Sequence, residues 1–180
     1  MLASAAHLIR EHGAAGTSID DVLRHSGAPR GSAYHHFPGG RAQLVEEVVD
    51  LAGGVVGQIL EGAGDASPVE VFDAFIAMWK QQLKDSGFKA GCPVLAVAIE
   101  SNTAAPQLTA AAARAFGSWR EALAAHFGRH GVSPAHSRRL ATTVVSAVEG
   151  AVALSRVDGN IQPLDDVARE LRILIRDAAE

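Results

Sequence analysis

The sequence predicts an all-α fold of about nine helices. Hydrophobic residues make up 48% of the 180 residues while aromatics are only 5%, and the abundant Ala and Leu favour packed helices over sheets. Apolar positions recur at i, i+3 and i+4 through most of the chain, the spacing of a helix with one buried face. No alternating apolar–polar run flanked by paired turn residues appears, so no strand is expected.

The elements follow in order. Leu2, Ala6 and Ile9 share one face of a first helix, and residues 13–16 form a loop. Ser18 with Asp21 three residues on is a capping-box-like start, the acid one carbon shorter than the usual Glu. Ile19, Val22 and Leu23 form the apolar stripe of the second helix. Gly27 suits the left-handed residue that ends it. Pro29 suits the first turn of the next helix, where a missing N–H costs nothing. That third helix is short and carries Arg30, Ser32, Tyr34, His35 and His36. It is too small and polar to be core, and such side chains can hydrogen-bond phosphates and base edges. The segment from Thr17 to Phe37 therefore reads as a helix-turn-helix.

From residue 40 a long helix is expected to run to about residue 60, with Leu44, Val48, Leu51, Val55 and Ile59 on one side. Gly53, Gly54 and Gly57 weaken its second half by roughly 1 kcal/mol each relative to Ala. They fit either close helix packing or a soft joint between domains. Residues 62–68 are a break. Helices are then expected over residues 69–83, 94–99, 106–128 and 135–157, and from Pro163, where Leu164, Val167, Leu171, Leu174 and Ile175 repeat.

Beyond the motif, the sequence resembles the tetracycline-repressor (TetR) family of one-component transcription regulators. The match runs from the amphipathic first helix through Gly13-Ala-Ala-Gly-Thr-Ser18 to Tyr34-His-His-Phe37 and Arg41-Ala-Gln-Leu44. Ala28-Pro29 stands where Val-Ser is common, and Leu23 where a small Ala is common. Phe37-Pro-Gly-Gly-Arg41, with Gly91-Cys-Pro-Val-Leu-Ala-Val-Ala98, resembles a branch that includes lincomycin-resistance repressors. A Lys commonly follows the Gly-Gly pair there, so Arg41 would take over its phosphate contact. Family members usually carry a few more residues, often basic, before the segment equivalent to Leu2.

The resemblance implies a DNA-binding transcriptional regulator, a repressor released from a double-stranded operator by a small effector. It implies a three-helix DNA-binding domain over residues 1–45 and a helical effector-binding and dimerisation domain over residues 46–180. The DNA-contacting set would be Thr17, Ser18, Pro29, Arg30, Gly31, Ser32, Tyr34, His35, His36 and Arg41. The ligand cavity would lie among Phe72, Phe75, Trp79, Cys92, Leu95, Ile99, Phe116 and Trp119. These residues also read as ordinary core; few polar groups interrupt them, so the effector would be apolar. The small-residue run between residues 140 and 154 lets two helices approach closely. Thr143, Ala147, Gly150 and Leu154, with Leu171 and Leu174 of the last helix, are the expected homodimer contacts; intrachain packing is the other reading.

The formal net charge is −4, which counts against an extended basic nucleic-acid surface. Residues 1–47 hold Arg10, Arg24, Arg30 and Arg41 against Glu11, Asp20, Asp21, Glu46 and Glu47, together with five of the eight histidines. Partial protonation of those histidines near phosphates would add positive charge. The acidic balance leaves open a second class, a helical small-molecule-binding protein with weak or lost DNA affinity. The apolar stretches are broken by Glu, Lys or Gly before a bilayer is spanned, so no membrane partner is expected. No charged-then-apolar leader opens the chain, and a cytoplasmic location is expected. Cys92 is the one cysteine, which rules out an internal disulfide or a multi-thiolate zinc site. His126 and His130 stand four apart on one helical face, a spacing that can bind a metal, and His136 follows; no third ligand is fixed by spacing, so the two read as a solvated pair and neither metal nor cofactor is expected. No nucleophile elbow, phosphate loop, His-Glu-x-x-His or di-iron pattern is present, so no enzyme is expected.

Overall fold

The computed structural model describes residues 1–100 and 105–179. Among them are nine helices and no strand: α1 (Leu2–His12), α2 (Ile19–Ser26), α3 (Arg30–His36), α4 (Gly40–Gly62), α5 (Pro68–Asp85), α6 (Pro93–Glu100), α7 (Pro106–Arg129), α8 (Pro134–Asp158) and α9 (Gln162–Ala179). The chain divides into two compact units. One comprises Met1–Gly53 with Ala90–Ala115, the other Gly54–Lys89 with Phe116–Glu180. Both α4 and α7 run through the division.

In the first unit α2 opens on a complete capping box. Ser18 Oγ accepts the Asp21 N–H at 3.1 Å, and Asp21 Oδ2 accepts the Ser18 N–H at 3.0 Å. Gly27 ends the helix at φ +68°, a left-handed conformation that glycine adopts without steric cost. Pro29 stands one step outside α3, as its N-cap. The core is Ala5 and Ile9 of α1, Val22 and Leu23 of α2, Ala33 of α3, Phe37, and Leu44, Val45, Val48 and Val49 of α4. Each large apolar side chain buried this way contributes about 1.5–3 kcal/mol.

The buried face of α4 differs from the expected one: Leu51 is half exposed, and Val45, Val49 and Val56 are buried. Residues 45, 48, 49 and 56 keep the helical period with a stripe rotated from the one that Leu51 would extend. The glycines of α4 separate into two kinds. A Cβ on Gly53 would sit 3.1 Å from the Ala115 Cβ, so glycine there permits close approach of α7. A Cβ on Gly54 or Gly57 would meet nothing within 4 Å, so packing does not demand glycine at either position.

In the second unit α5 starts on its own capping box, Ser67 with Glu70, followed by Pro68. Its buried face, Val71, Phe72, Phe75, Ile76, Trp79 and Leu83, serves a core shared with α8 and α9. From α9 that core takes Leu164, Ala168, Leu171 and Ile175, at spacings of four, three and four residues that keep one face inward. Two ion pairs tie α5 to α9, Arg172 Nε to Asp73 Oδ1 at 2.5 Å and Lys80 to Asp165. The α8 helix is, among the described residues, the one helix long and apolar enough to cross a membrane. The expectation that charge or Gly breaks every such stretch fails there, since Glu149 and Gly150 fall inside the apolar window. Half of that window is buried within the protein, as in a core helix of a globular domain.

His126 is fully buried on α7, its Nδ1 3.0 Å from Arg129 Nη2. Burial lowers its pKa, and the neighbouring His130 and Arg129 lower it further, while the backbone of Ser67 and Ala66 opposes them. The native state therefore resists a proton that the unfolded chain accepts below about pH 6.5. Unfolding free energy is expected to fall as pH drops from about 6.5 towards 5, above the range where carboxylates titrate. Urea unfolding at pH 8, 6.5 and 5 checks this. The loss between 6.5 and 5 should shrink in His126→Leu, and an unchanged pH slope in that variant would assign the loss to another group.

Candidate nucleic-acid interface

The first unit presents a short helix outward on a fixed base. Ala33 of α3 is buried, while Arg30, Gly31, Tyr34, His35 and His36 are exposed. Tyr34, 70% exposed, is an aromatic side chain that packing alone would place inside. His35 and His36 contact edge to face at 5.4 Å, and His36 leans on Phe37 at 6.5 Å. Ser32 is half-buried, and its hydroxyl donates to the Pro29 carbonyl at 2.6 Å. The exposed side of α3 thus offers a cation, a phenol and imidazoles to a polyanion.

The turn between α1 and α2 positions that surface and is held from several sides. Thr17 is buried and its hydroxyl donates to the Gly13 carbonyl at 2.8 Å. The Arg41 guanidinium points inward too, donating from Nε to the Thr17 carbonyl at 2.9 Å and from Nη2 to the Ala14 carbonyl. Glu100, at the end of α6, accepts the Ala15 N–H at 2.5 Å. Of the residues that the sequence placed at the DNA, Ser18, Pro29, Arg30, Gly31, Tyr34, His35 and His36 are therefore exposed. The polar groups of Thr17 and Arg41 lie on this turn instead.

Charge is compensated locally. Asp21 is held at a pKa of about 2, first by the Ser18 hydroxyl, then by the Ser18 N–H and Arg24. Arg24 Nη1 lies 3.0 Å from Asp21 Oδ1, so the acid at the start of α2 is paired within its own helix. An open cleft of about 340 Å³ beside the turn is lined by Leu8, His12, Gly16, Thr17, Asp21, Arg24 and His25. His25 stacks on His7 at 5.0 Å. The exposed Arg24 and His25 were not among the expected DNA contacts. Short basic side chains scattered on α1 and α2 carry no motif that would single them out.

The expected ligand residues divide between the units. Cys92, Leu95 and Ile99 belong to the first, where Cys92 is buried and Ile99 is exposed. Phe72, Phe75, Trp79, Phe116 and Trp119 belong to the second. There Phe75 meets Trp79 edge to face at 6.4 Å, and Phe116 meets Trp119 at 5.3 Å. The Trp79 indole N–H is buried without an acceptor. Among the described residues no cluster of three or more His, Cys, Asp or Glu could hold a metal ion.

A three-helix head with an outward α3, followed by an all-helical second unit, defines a helix-turn-helix transcription regulator. Residues 1–48 match the model of bacterial regulatory proteins of the tetR family, and residues 68–170 match the C-terminal domain of LmrA/YxaF-like transcriptional regulators. The chain belongs to the TetR family of DNA-binding transcriptional regulators, in its LmrA/YxaF-like group. An uncharacterized HTH-type transcriptional regulator of Mycobacterium tuberculosis is 46% identical over 181 residues, covering 97% of this chain and 92% of the relative. The HTH-type transcriptional regulator LmrA of Bacillus subtilis is 30% identical over 166 residues, covering 91% and 88%. A TetR transcriptional regulator of Legionella pneumophila has the same fold, with a TM-score of 0.87 at 22% identity over 96% of this chain and 94% of the other.

Proposed function

We propose that the protein is a homodimeric repressor that leaves its operator when a small, mainly apolar effector binds. Residues 1–45 read DNA, and residues 46–180 bind the effector and dimerise. The observation that carries the DNA reading is α3, whose Ala33 anchors a helix that turns Arg30, Tyr34, His35 and His36 outward. Arg30, near the helix start, reads a base edge; Tyr34 and His36, near its end, meet phosphates.

The buried aromatics Phe72, Phe75, Trp79 and Trp119 support an apolar effector. The acceptor-less Trp79 N–H adds a requirement. A buried donor left without a partner costs about 1–3 kcal/mol, so a ligand carrying a hydrogen-bond acceptor gains from meeting it. For the dimer, α8 leaves Thr143, Gly150, Leu154 and Val157 exposed, and α9 leaves Ile173 and Leu174 exposed. Two operator half-sites need a two-fold axis, and these faces are the apolar surfaces that would supply it.

Selection of duplexes from a random library, followed by a mobility-shift titration, tests the central claim. A specific complex in the 10⁻⁸–10⁻¹¹ M range at physiological salt is expected. Recovery of no preferred duplex would favour the alternative of a helical binding protein without DNA affinity.

A further inference from the structure

Glu100 closes α6, a helix otherwise composed of Pro, Val, Leu, Ala and Ile. A carboxylate at a helix C-terminus faces the negative end of the helix dipole, an unfavourable place for it. Its compensation lies outside its own helix. Glu100 Oε2 accepts the Ala15 N–H in the α1–α2 turn. The same turn leaves room for this carboxylate, since a Cβ on Gly13 would lie 2.1 Å from Glu100 Oε1. Gly13 itself has φ +79° and ψ 169°, a conformation open essentially to glycine alone. The other end of α6 is tied to the same helix, with the Gly91 N–H donating to the Arg10 carbonyl at 2.8 Å.

We propose that Glu100 is a positioning residue for operator binding: its carboxylate on the Ala15 amide fixes the α1–α2 turn, and with it the start of α2, to the end of α6. Ser18, the first residue of the DNA-facing surface, follows Ala15 by three residues. Arg41 holds the carbonyls of Ala14 and Thr17, and Thr17 holds that of Gly13. Glu100 holds an amide of this turn, and does so from a helix outside the DNA-reading motif. The placement of α2 on the operator thereby depends on where α6 ends. This inference rests on the reading that α2 and α3 bind DNA.

The test compares native protein, Glu100→Ala and Glu100→Gln on an operator selected by the native chain, and on an unrelated duplex. Glu100→Ala should bind the operator roughly tenfold more weakly, the size expected for a lost charge-assisted hydrogen bond. Its slope of affinity against salt should stay native, because no phosphate contact is removed. Binding to the unrelated duplex should change less than threefold. Glu100→Gln keeps an acceptor oxygen and should restore operator affinity to within about threefold of native. Native operator affinity in Glu100→Ala overturns the proposal, and so does a Gln variant as weak as the Ala variant. Should the Ala variant fold poorly, hydrogen exchange of the Ala15 amide in the native protein decides. Protection supports the bond, and exchange at the rate of an open loop overturns it. A native chain that binds no selected duplex is a separate result, because it removes the DNA reading itself.

Discussion

Replacing Leu154 and Leu174 together by glutamate is expected to turn the protein into a folded monomer with operator affinity lowered by roughly 10²–10⁴-fold. Leu154 is 56% exposed on α8 and Leu174 is 49% exposed on α9, so neither carboxylate need be buried in the isolated protomer. In a dimer joined through these faces the two-fold repeats each change. Four carboxylates would then enter an apolar interface without partners, at several kcal/mol apiece. A monomer also loses the effective concentration that makes the second half-site contact intramolecular, which is the origin of the fold-change. Analytical ultracentrifugation, thermal unfolding and a mobility shift check the three parts together. A variant that stays dimeric at micromolar concentration places the interface elsewhere. The choice of positions matters. Leu171, also drawn from the α9 repeat, is 3% exposed within the protomer; a glutamate there attacks the fold before it reaches any interface.

The same contrast shows how far the sequence is readable. Local signals fix helices well: Ser18 with Asp21 and Gly27 mark both ends of α2. Such signals depend on neighbours within four residues, so the sequence contains the whole cause. Which side of a helix is buried is harder where apolar residues are plentiful. On α9, Val167, Leu171, Leu174 and Ile175 all fit a helical repeat. Only the packing against α5 and α8 sorts them, burying Leu171 and Ile175, half-burying Val167 and leaving Leu174 exposed. On α4 the same ambiguity put Leu51 on the wrong side. Gly53 is glycine because Ala115 lies against it, a cause 62 residues away.

The DNA-reading surface has both kinds of cause. Arg30, Tyr34, His35 and His36 are exposed because α3 is too short and polar to bury them, which the sequence states. Arg41 is directed inward because two carbonyls of the α1–α2 turn converge on it. Glu100 meets Ala15 across 85 residues, with no motif linking them. Contacts of this kind are set by tertiary structure and have no local signature.

Arg30→Ala and Tyr34→Phe should separate base reading from phosphate contact on α3. Both side chains are exposed, so either change should leave the thermal midpoint near native. An arginine paired with a guanine edge carries about 1–3 kcal/mol. A dimer loses it in both half-sites, roughly 30-fold in affinity or more. The loss should be confined to one base position per half-site, where Arg30→Ala should tolerate any base. Tyr34→Phe removes a hydroxyl, and a phosphate contact carries no sequence information. Its effect should therefore be smaller and equal across all duplexes. The salt slope sharpens the distinction. If Arg30 instead neutralises a phosphate, its loss weakens every duplex alike and lowers the slope by about one per protomer. A base-position scan of the selected operator at two salt concentrations, run on native protein and both variants, reads all of this. A uniform loss in Arg30→Ala moves base recognition to another α3 residue, and native affinity in both variants removes α3 as the reading helix.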